Sequence, residues 1–303
     1  MTQAHPKVPA DASAGARQSF RVPPPTPEPE EAQPAPAIVF TDLDETLLDS
    51  RGRVCEASRR ALGELAELGV PVVPVTSQSA AEVRKLREDL RLEGPYVVEN
   101  GSSLHDWPIA GTSIVWGPSY GEVREAFEDL KKRYPIVGFG DHSAASLAKL
   151  CQMDVHAAER ARDRSSSEPF ILVSACDLEQ LHRDAEDRGF QIASGGRFFC
   201  LQGGQVSQGR AIRKVLEACG RESDGGPVSI GIGNAPNDLS MLRAVSIPVL
   251  MPGHCLSLAM RSTLPRARVA GERTWGDIVR HTLAGVLHAP PRPVDPQEGG
   301  ARV

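Results

Sequence analysis

The sequence predicts an α/β protein, a doubly wound parallel sheet interrupted by an inserted α+β unit. Three observations predict it. Short apolar runs alternate with segments whose apolar residues recur at helical spacing, several of those runs end in polar residues suited to holding a ligand, and the alternation is broken once, between about Trp107 and Gly196.

The elements follow in order. AIVF (37–40) is a short apolar run that stops at polar TDLDET, as a buried parallel strand would when it delivers residues at its carboxyl end. EASRRALGELAELG (56–69) places Ala57, Ala61, Leu62, Leu65 and Leu68 on one helical stripe, with Gly69 as its stop. PVVPVTS (71–77) reads as the second strand. Ser79 and Glu82 then form a capping box that opens a helix over AAEVRKLREDL, and YVVE (96–99) is the third strand.

The middle follows another pattern. SIVW (113–116), a helix from about Ser119 to Arg133 with Val123, Ala126, Phe127 and Leu130 inward, PFILVS (169–174), a helix around Asp177 to Arg188, and FQIAS (190–194) read as a smaller α+β unit. The sheet pattern is expected to resume with RFFCLQ (197–202), a helix from Gly209 to Ala218, VSIGIG (228–233), a helix from Pro236 to Ala244, and IPVLM (247–251).

Composition excludes several classes. With 34 basic and 39 acidic residues the net charge is −5, which gives no electrostatic footprint for nucleic acid, and no apolar run is long enough to suggest a membrane span. Neither nucleic acid nor membrane is an expected partner. Residues 1–36 hold nine of the 25 prolines and show no apolar period, so they are expected to be a disordered arm without a secretory or transit signal. The six cysteines form no CxxC pair and no ligand-spaced group with histidine, so zinc and a disulfide framework are not expected; idle thiols suit a reducing cytoplasm.

The chemistry gathers at three strand ends. Asp42 and Asp44 lie two apart just past the first strand, which turns both carboxylates to one side of the sheet's carboxyl edge, where open α/β folds bind ligands. Close carboxylates repel unless a cation or a shared proton relieves them, and one can act as nucleophile or metal ligand while the other moves protons. An isolated pair of this kind can equally be an Asx turn or a helix cap. Thr76 and Ser77 end the second strand with hydroxyls suited to a phosphoryl oxygen. GIGNAPND (231–238) ends a late strand with Asn234, Asn237 and Asp238, oxygen donors of the type a hard cation such as Mg²⁺ takes.

Taken in order, TDLDETLLD, the hydroxyl-bearing strand end, GGQVSQGRA and GNAPND resemble the four motifs of the haloacid dehalogenase superfamily of phosphotransferases. Within it, PYVVENGSSL (95–104), AERARDRSSSEPFIL (158–172), GGRFFCLQGGQVSQGRA (195–211) and PNDLSMLRAVSIPVL (236–250) are most similar to the mannosyl-3-phosphoglycerate phosphatases. The resemblance covers about Ile38 to Leu287. It implies a phosphatase core at 37–106 and 197–287, an inserted cap at 107–196, and Pro-rich segments outside them at 1–36 and 288–303.

The resemblance also implies roles. Asp42 would attack phosphorus to form an aspartyl-phosphate, and Asp44 would protonate the leaving oxygen and then deprotonate water. Thr76 would hold a phosphoryl oxygen, and Mg²⁺ would be held by Asp42, the Asp44 carbonyl, Asn234 and Asp238. Glu168 and Arg197 would read the phosphosugar from the cap.

Three positions depart from the family, which usually has glycine at Glu45, lysine at Gln208 and aspartate at Asn234. Gln208 leaves a positive charge missing unless Arg210 or Lys214 supplies it. The expected function is thus Mg²⁺-dependent hydrolysis of mannosyl-3-phosphoglycerate, with a glucosyl-3-phosphoglycerate or sucrose-phosphate phosphatase, or a degenerate non-catalytic sugar-phosphate binder, as alternatives.

Overall fold

The computed structural model describes residues 37–195, 197–220, 226–252, 263–264, 267–270 and 273–288. The expected arm at 1–36 and all of the expected tail at 288–303 except His288 lie outside the described residues. The chain runs β1 (Ala37–Thr41), α1 (Glu56–Glu67), β2 (Val72–Pro74), α2 (Ala80–Leu90), β3 (Tyr96–Val98), β4 (Ser103–His105) and β5 (Ser113–Val115). It continues through α3 (Tyr120–Lys131), β6 (Ile136–Gly138), α4 (Ala144–Cys151), α5 (Val155–Arg162), β7 (Ser167–Leu172), α6 (Leu178–Glu186), β8 (Phe190–Gly195) and β9 (Phe198–Gly203). It closes with α7 (Gln208–Ala218), β10 (Val228–Gly233), α8 (Leu239–Leu242), β11 (Ile247–Leu250), β12 (Arg268–Val269) and α9 (Trp275–Leu287).

The central sheet is parallel, in the order β12-β11-β10-β1-β2. β1 is buried along its whole length because both faces are covered. Ala37 and Val39 pack on the side of α1, α2 and α9 with Leu65, Val83, Trp275 and Val279. Ile38 and Phe40 pack on the other side with Ile212, Val215 and Met241 from α7 and α8. Two features of this sheet make the site. Strand order reverses between β1 and β10, the crevice where such sheets take ligands, and the register sets Thr41 opposite Ile232. The residues that leave those strands, Asp42 and the Gly233–Asn234 pair, therefore emerge side by side.

Strand membership differs from expectation at two places. The 113–116 run, expected in the inserted unit, pairs as β5 with β4 in a three-stranded antiparallel sheet, β3-β4-β5, joined to β2 by a parallel bridge from Val75 to Val97. The 197–202 run, expected to resume the central sheet, is instead β9, paired antiparallel with both β7 and β8 in a second sheet ordered β6-β7-β9-β8. The reason is local. Phe199 and Leu201 face the apolar side already formed by Phe170, Ile192 and Phe127, and a tight connection from β8 makes hairpin pairing immediate. We accordingly propose that the inserted unit begins after β5 and ends after β9, rather than at 107 and 196.

Capping boxes open α2 (Ser79 with Glu82), α3 (Ser119 with Glu122) and α9 (Thr274 with Asp277). The first is the one expected from the sequence, although Ser119 and Glu122 carry the same S-x-x-E spacing. Gly101, in the turn after β3, has φ +98° and a Cβ there would lie 2.4 Å from the Ser207 carbonyl carbon, so this glycine lets the turn touch the start of α7. Gly101→Ala is expected to cost about 2–3 kcal/mol, read by urea unfolding, since strain and backbone contact both oppose it. No helix among the described residues is long and apolar enough to cross a membrane.

Candidate active site

Asp42 follows β1 with only 5% of its surface exposed. Its amide donates to Ile232 O at 2.9 Å, and its carbonyl accepts the Thr41 hydroxyl at 2.8 Å, so the backbone is fixed on both sides. Burial holds its pKa well above the usual carboxylate range, the Asp238 and Asp44 charges push it further up, and a hydrogen bond from the Leu43 amide opposes them. Asp44 reaches the surface. Its pKa is raised by the protein mass around it, against a hydrogen bond in which Gln78 Nε2 donates to its Oδ1 at 2.8 Å.

Glu45 follows with φ +56° and ψ +16°, the left-handed region that costs an L-residue roughly 1–2 kcal/mol and glycine almost nothing. This is the physical reason a glycine suits the position. The Glu45 side chain is exposed, and its negative charge adds, after burial, to what raises the Asp44 pKa.

Asp238 is fully buried, and its Oδ2 accepts the amides of Asn234 at 2.9 Å and Ala235 at 3.0 Å. Burial pushes its pKa up to about 6, against those two hydrogen bonds. Gln208 Nε2 donates to Asp238 Oδ1 at 3.3 Å, and Asn234 Nδ2 donates to the Asp44 carbonyl at 3.2 Å. Three carboxylates thus share one crevice, and no Lys or Arg is among the groups that chiefly set the acidity of any of them.

The donor set fits a hard cation. Asp42 and Asp238 carboxylates, the Asp44 carbonyl and the Asn234 amide are all oxygen donors in character, and Gln208 Oε1 and Asn237 Oδ1 are buried beside them without a partner among the described residues. Among the described residues no group of three His, Cys, Asp or Glu side chains is disposed to hold a metal alone, so a cation here would need the backbone and amide oxygens as well. Asn234 presents its nitrogen to Asp44 O, and its amide would have to turn to offer oxygen.

Thr76 is buried and completes the crevice. Its Oγ1 accepts the Gln78 amide at 3.2 Å, which leaves the hydroxyl proton available to a phosphoryl oxygen. Ser77 is half-buried beside it.

Several expected site residues stand elsewhere. Glu168 is wholly buried, and its oxygens are taken by Tyr120 Oη at 2.6 Å, the Gly140 amide at 2.8 Å and Arg124 Nη1 at 3.2 Å, so it ties α3 to β7 rather than facing a ligand. The alternation of β7 explains this, since Glu168 shares the helix-covered face with Phe170. Arg197 donates to Leu150 O at 2.6 Å and lies over the Phe198 ring, an exposed brace to the end of α4. Arg210 lies 5.7 Å over Trp116, and Lys214 turns to Glu217 in solvent, so neither replaces a cation at Gln208.

Sequence reasoning missed Gln78, Glu99, Asn100 and Arg164. Glu99, Asn100 and Arg164 sit inside strings that carried the family resemblance and Gln78 follows the hydroxyl-bearing strand end, but their partners come from distant segments. Asn100, with φ +57°, donates from Nδ2 to Gln202 Oε1 at 2.8 Å and accepts Asn237 Nδ2 at 3.4 Å, joining two turns and β9 around the crevice.

Comparison with known proteins places these features in context. Residues 39–134 match the model of the family described as haloacid dehalogenase-like hydrolase. The chain is 32% identical over 261 residues to a glucosyl-3-phosphoglycerate/mannosyl-3-phosphoglycerate phosphatase of Persephonella marina, covering 81% of this chain and 97% of that protein. It is 26% identical over 226 residues to a mannosyl-3-phosphoglycerate phosphatase of Pyrococcus furiosus, covering 71% and 90%. Among solved structures, a haloacid dehalogenase-like hydrolase from B. subtilis superposes with a TM-score of 0.59 at 18% identity, over 83% of this chain and 99% of that one. A second, from Bacteroides thetaiotaomicron, gives 0.58 at 17%, over 81% and 99%.

Proposed function

This chain belongs to the haloacid dehalogenase-like hydrolases and is a phosphoric monoester hydrolase of the sugar phosphatase kind; from that premise we propose that it hydrolyses a glycosyl-3-phosphoglycerate, mannosyl or glucosyl, with Mg²⁺ as cofactor. The observation that carries the reading is the convergence of Asp42, Asp44, Asp238 and the Thr76 hydroxyl on one crevice at the carboxyl ends of β1, β2 and β10. The relatives whose names include those substrates support the substrate class.

In this mechanism an Asp42 carboxylate oxygen attacks phosphorus as the ester oxygen leaves, giving an aspartyl-phosphate, and Asp44 protonates the leaving oxygen. Asp44 then takes a proton from water, whose oxygen attacks phosphorus and releases orthophosphate and Asp42. Gln78 orients Asp44 for both transfers through its 2.8 Å hydrogen bond. Thr76 donates its hydroxyl to a phosphoryl oxygen. Asp42, the Asp44 carbonyl, Asn234 and Asp238 would hold Mg²⁺, which would supply the positive charge that lets a carboxylate approach a phosphate. The five described cysteines are free thiols, which supports a cytoplasmic setting for such an enzyme.

Phosphate release from mannosyl- and glucosyl-3-phosphoglycerate tests the proposal: turnover in excess Mg²⁺ that disappears on chelation is expected. No turnover of either phosphosugar, with orthophosphate still bound, would establish instead a non-catalytic binder, the reading favoured by the lack, among the described residues, of any Lys or Arg that chiefly sets the acidity of the three carboxylates. Gln208→Lys is expected to raise turnover by about tenfold, because an ammonium beside Asp238 and Asp42 relieves about 1.4 kcal/mol or more of repulsion. Steady-state kinetics of the variant checks it.

A further inference from the structure

The turn after β2 has three consecutive carbonyls, and each is held from outside the crevice. Thr76 O accepts the Asn100 amide at 2.9 Å, Ser77 O accepts Arg164 Nη2 at 2.7 Å, and Gln78 O accepts the Glu99 amide at 3.0 Å. Because each peptide is planar, fixing these carbonyls also fixes the Ser77 and Gln78 amides, and with them the Thr76 hydroxyl that the Gln78 amide holds.

The groups that do this are coupled to the segment entering β7. Glu99 is wholly buried, yet it comes from the end of β3. Its Oε1 accepts the Ser165 amide at 2.8 Å, and its Oε2 accepts the Ser166 amide at 3.0 Å and the Ser167 hydroxyl at 2.6 Å. Arg164, also buried, donates to Ser167 Oγ at 3.0 Å as well as to Ser77 O, and its Nε lies 3.8 Å from Glu99 Oε2. Ser79 Oγ adds a 2.7 Å bond to Arg160 O. Glu99 and Asn100 are consecutive non-glycine residues at φ +48° and +57°, a conformation that persists only where the surroundings over-determine it.

An ordinary buried ion pair would brace one unit. This one instead joins the turn that carries Thr76 to the antiparallel sheet of β6 to β9. We propose that Arg164 and Glu99 are positioning residues that make the geometry of the Thr76–Gln78 turn depend on the seating of segment 164–167, so that phosphoryl binding and docking of the four-stranded unit are coupled. The phosphoryl part rests on the phosphatase reading above; the coupling of the two segments does not.

The test compares wild type, Glu99→Gln and Ser167→Ala as full chains, by peptide-resolved hydrogen exchange and by inhibition with orthophosphate. Glu99→Gln turns one acceptor oxygen into an amide donor, set against either the Ser165 amide or the Ser166 amide and Ser167 hydroxyl, and removes the negative charge facing Arg164. Exchange in 74–79 and in 164–168 is expected to rise together by about tenfold or more, with orthophosphate affinity weakened and KM raised by a similar factor and kcat changed less. Ser167→Ala removes a single hydroxyl and is expected to move all of these the same way by about threefold; it carries the test if Glu99→Gln does not fold. Faster exchange at 164–168 with 74–79 unchanged would overturn the coupling, as would unchanged orthophosphate affinity in a variant whose two segments both open. Wild type that turns over no phosphosugar would remove the phosphatase reading while the exchange data still decide the coupling.

Discussion

Asp42→Asn is expected to reduce phosphate release on the order of 10⁴-fold or more while leaving the protein folded, because it removes the attacking oxygen and keeps the shape. The side chain is 5% exposed at the end of a strand buried on both faces, and the carboxylate stands against the charges of Asp238 and Asp44. Taking one negative charge out of that group relieves repulsion, so the variant's denaturation midpoint is expected to be equal to or above that of wild type. The two measurements together distinguish a nucleophile from a residue needed for folding. A variant with near-normal turnover would remove Asp42 from the mechanism, and a variant whose loss of activity is matched by a lowered denaturation midpoint would show a residue needed for folding instead.

Trp275→Ala is expected to destabilise the protein by about 3–5 kcal/mol, the largest effect on stability anticipated for a single position. Trp275 opens α9, is 1% exposed, and packs with Val39, Leu65 and Val279 beneath the central sheet. Its Nε1 donates to Thr41 Oγ1 at 2.9 Å, and that hydroxyl in turn donates to the Asp42 carbonyl. The indole thus closes the last helix onto the strand that carries the nucleophile. Trp275→Phe retains most of the apolar volume and gives up the hydrogen bond, so about 1–2 kcal/mol is expected. Urea unfolding of the two variants separates packing from the polar link, and equal losses in both would show that the bond to Thr41 carries most of the effect.

Much of this architecture is legible in the chain. The apolar runs at 37–40, 71–77 and 228–233 become β1, β2 and β10, the Ser79–Glu82 box caps α2, and the polar ends of those runs meet in one crevice. Strand ends are readable because a parallel sheet aligns its carboxyl edges: once the strands are found, Asp42, Thr76 and Asn234 must lie near one another. The assignment of 197–202 failed for a related reason. An apolar run of six residues is compatible with either sheet, and only its antiparallel pairing with β8 and β7 decides between them.

Side-chain direction was far less accessible. Glu168 and Arg197 were expected at a ligand because they carry charge in distinctive strings, but one is buried under α3 and the other braces α4. Glu99 and Arg164 lie in equally distinctive strings and do reach the crevice's edge, through partners 66 to 87 residues away.

The sequence by itself determined most of the strands and helices, though not β4, β6, α4, α5, β12 or α9, and the chemical types at the strand ends, since these follow from local period and residue identity; the charge missing at Gln208 is what the family resemblance implies. Only the tertiary structure decided which sheet β9 joins, that Arg210 and Lys214 leave Gln208 without a substitute cation, and that a buried carboxylate and guanidinium hold the Thr76 turn. Those outcomes depend on contacts between segments distant in the chain, and the free energy of burying a charge is set by neighbours that no local pattern names.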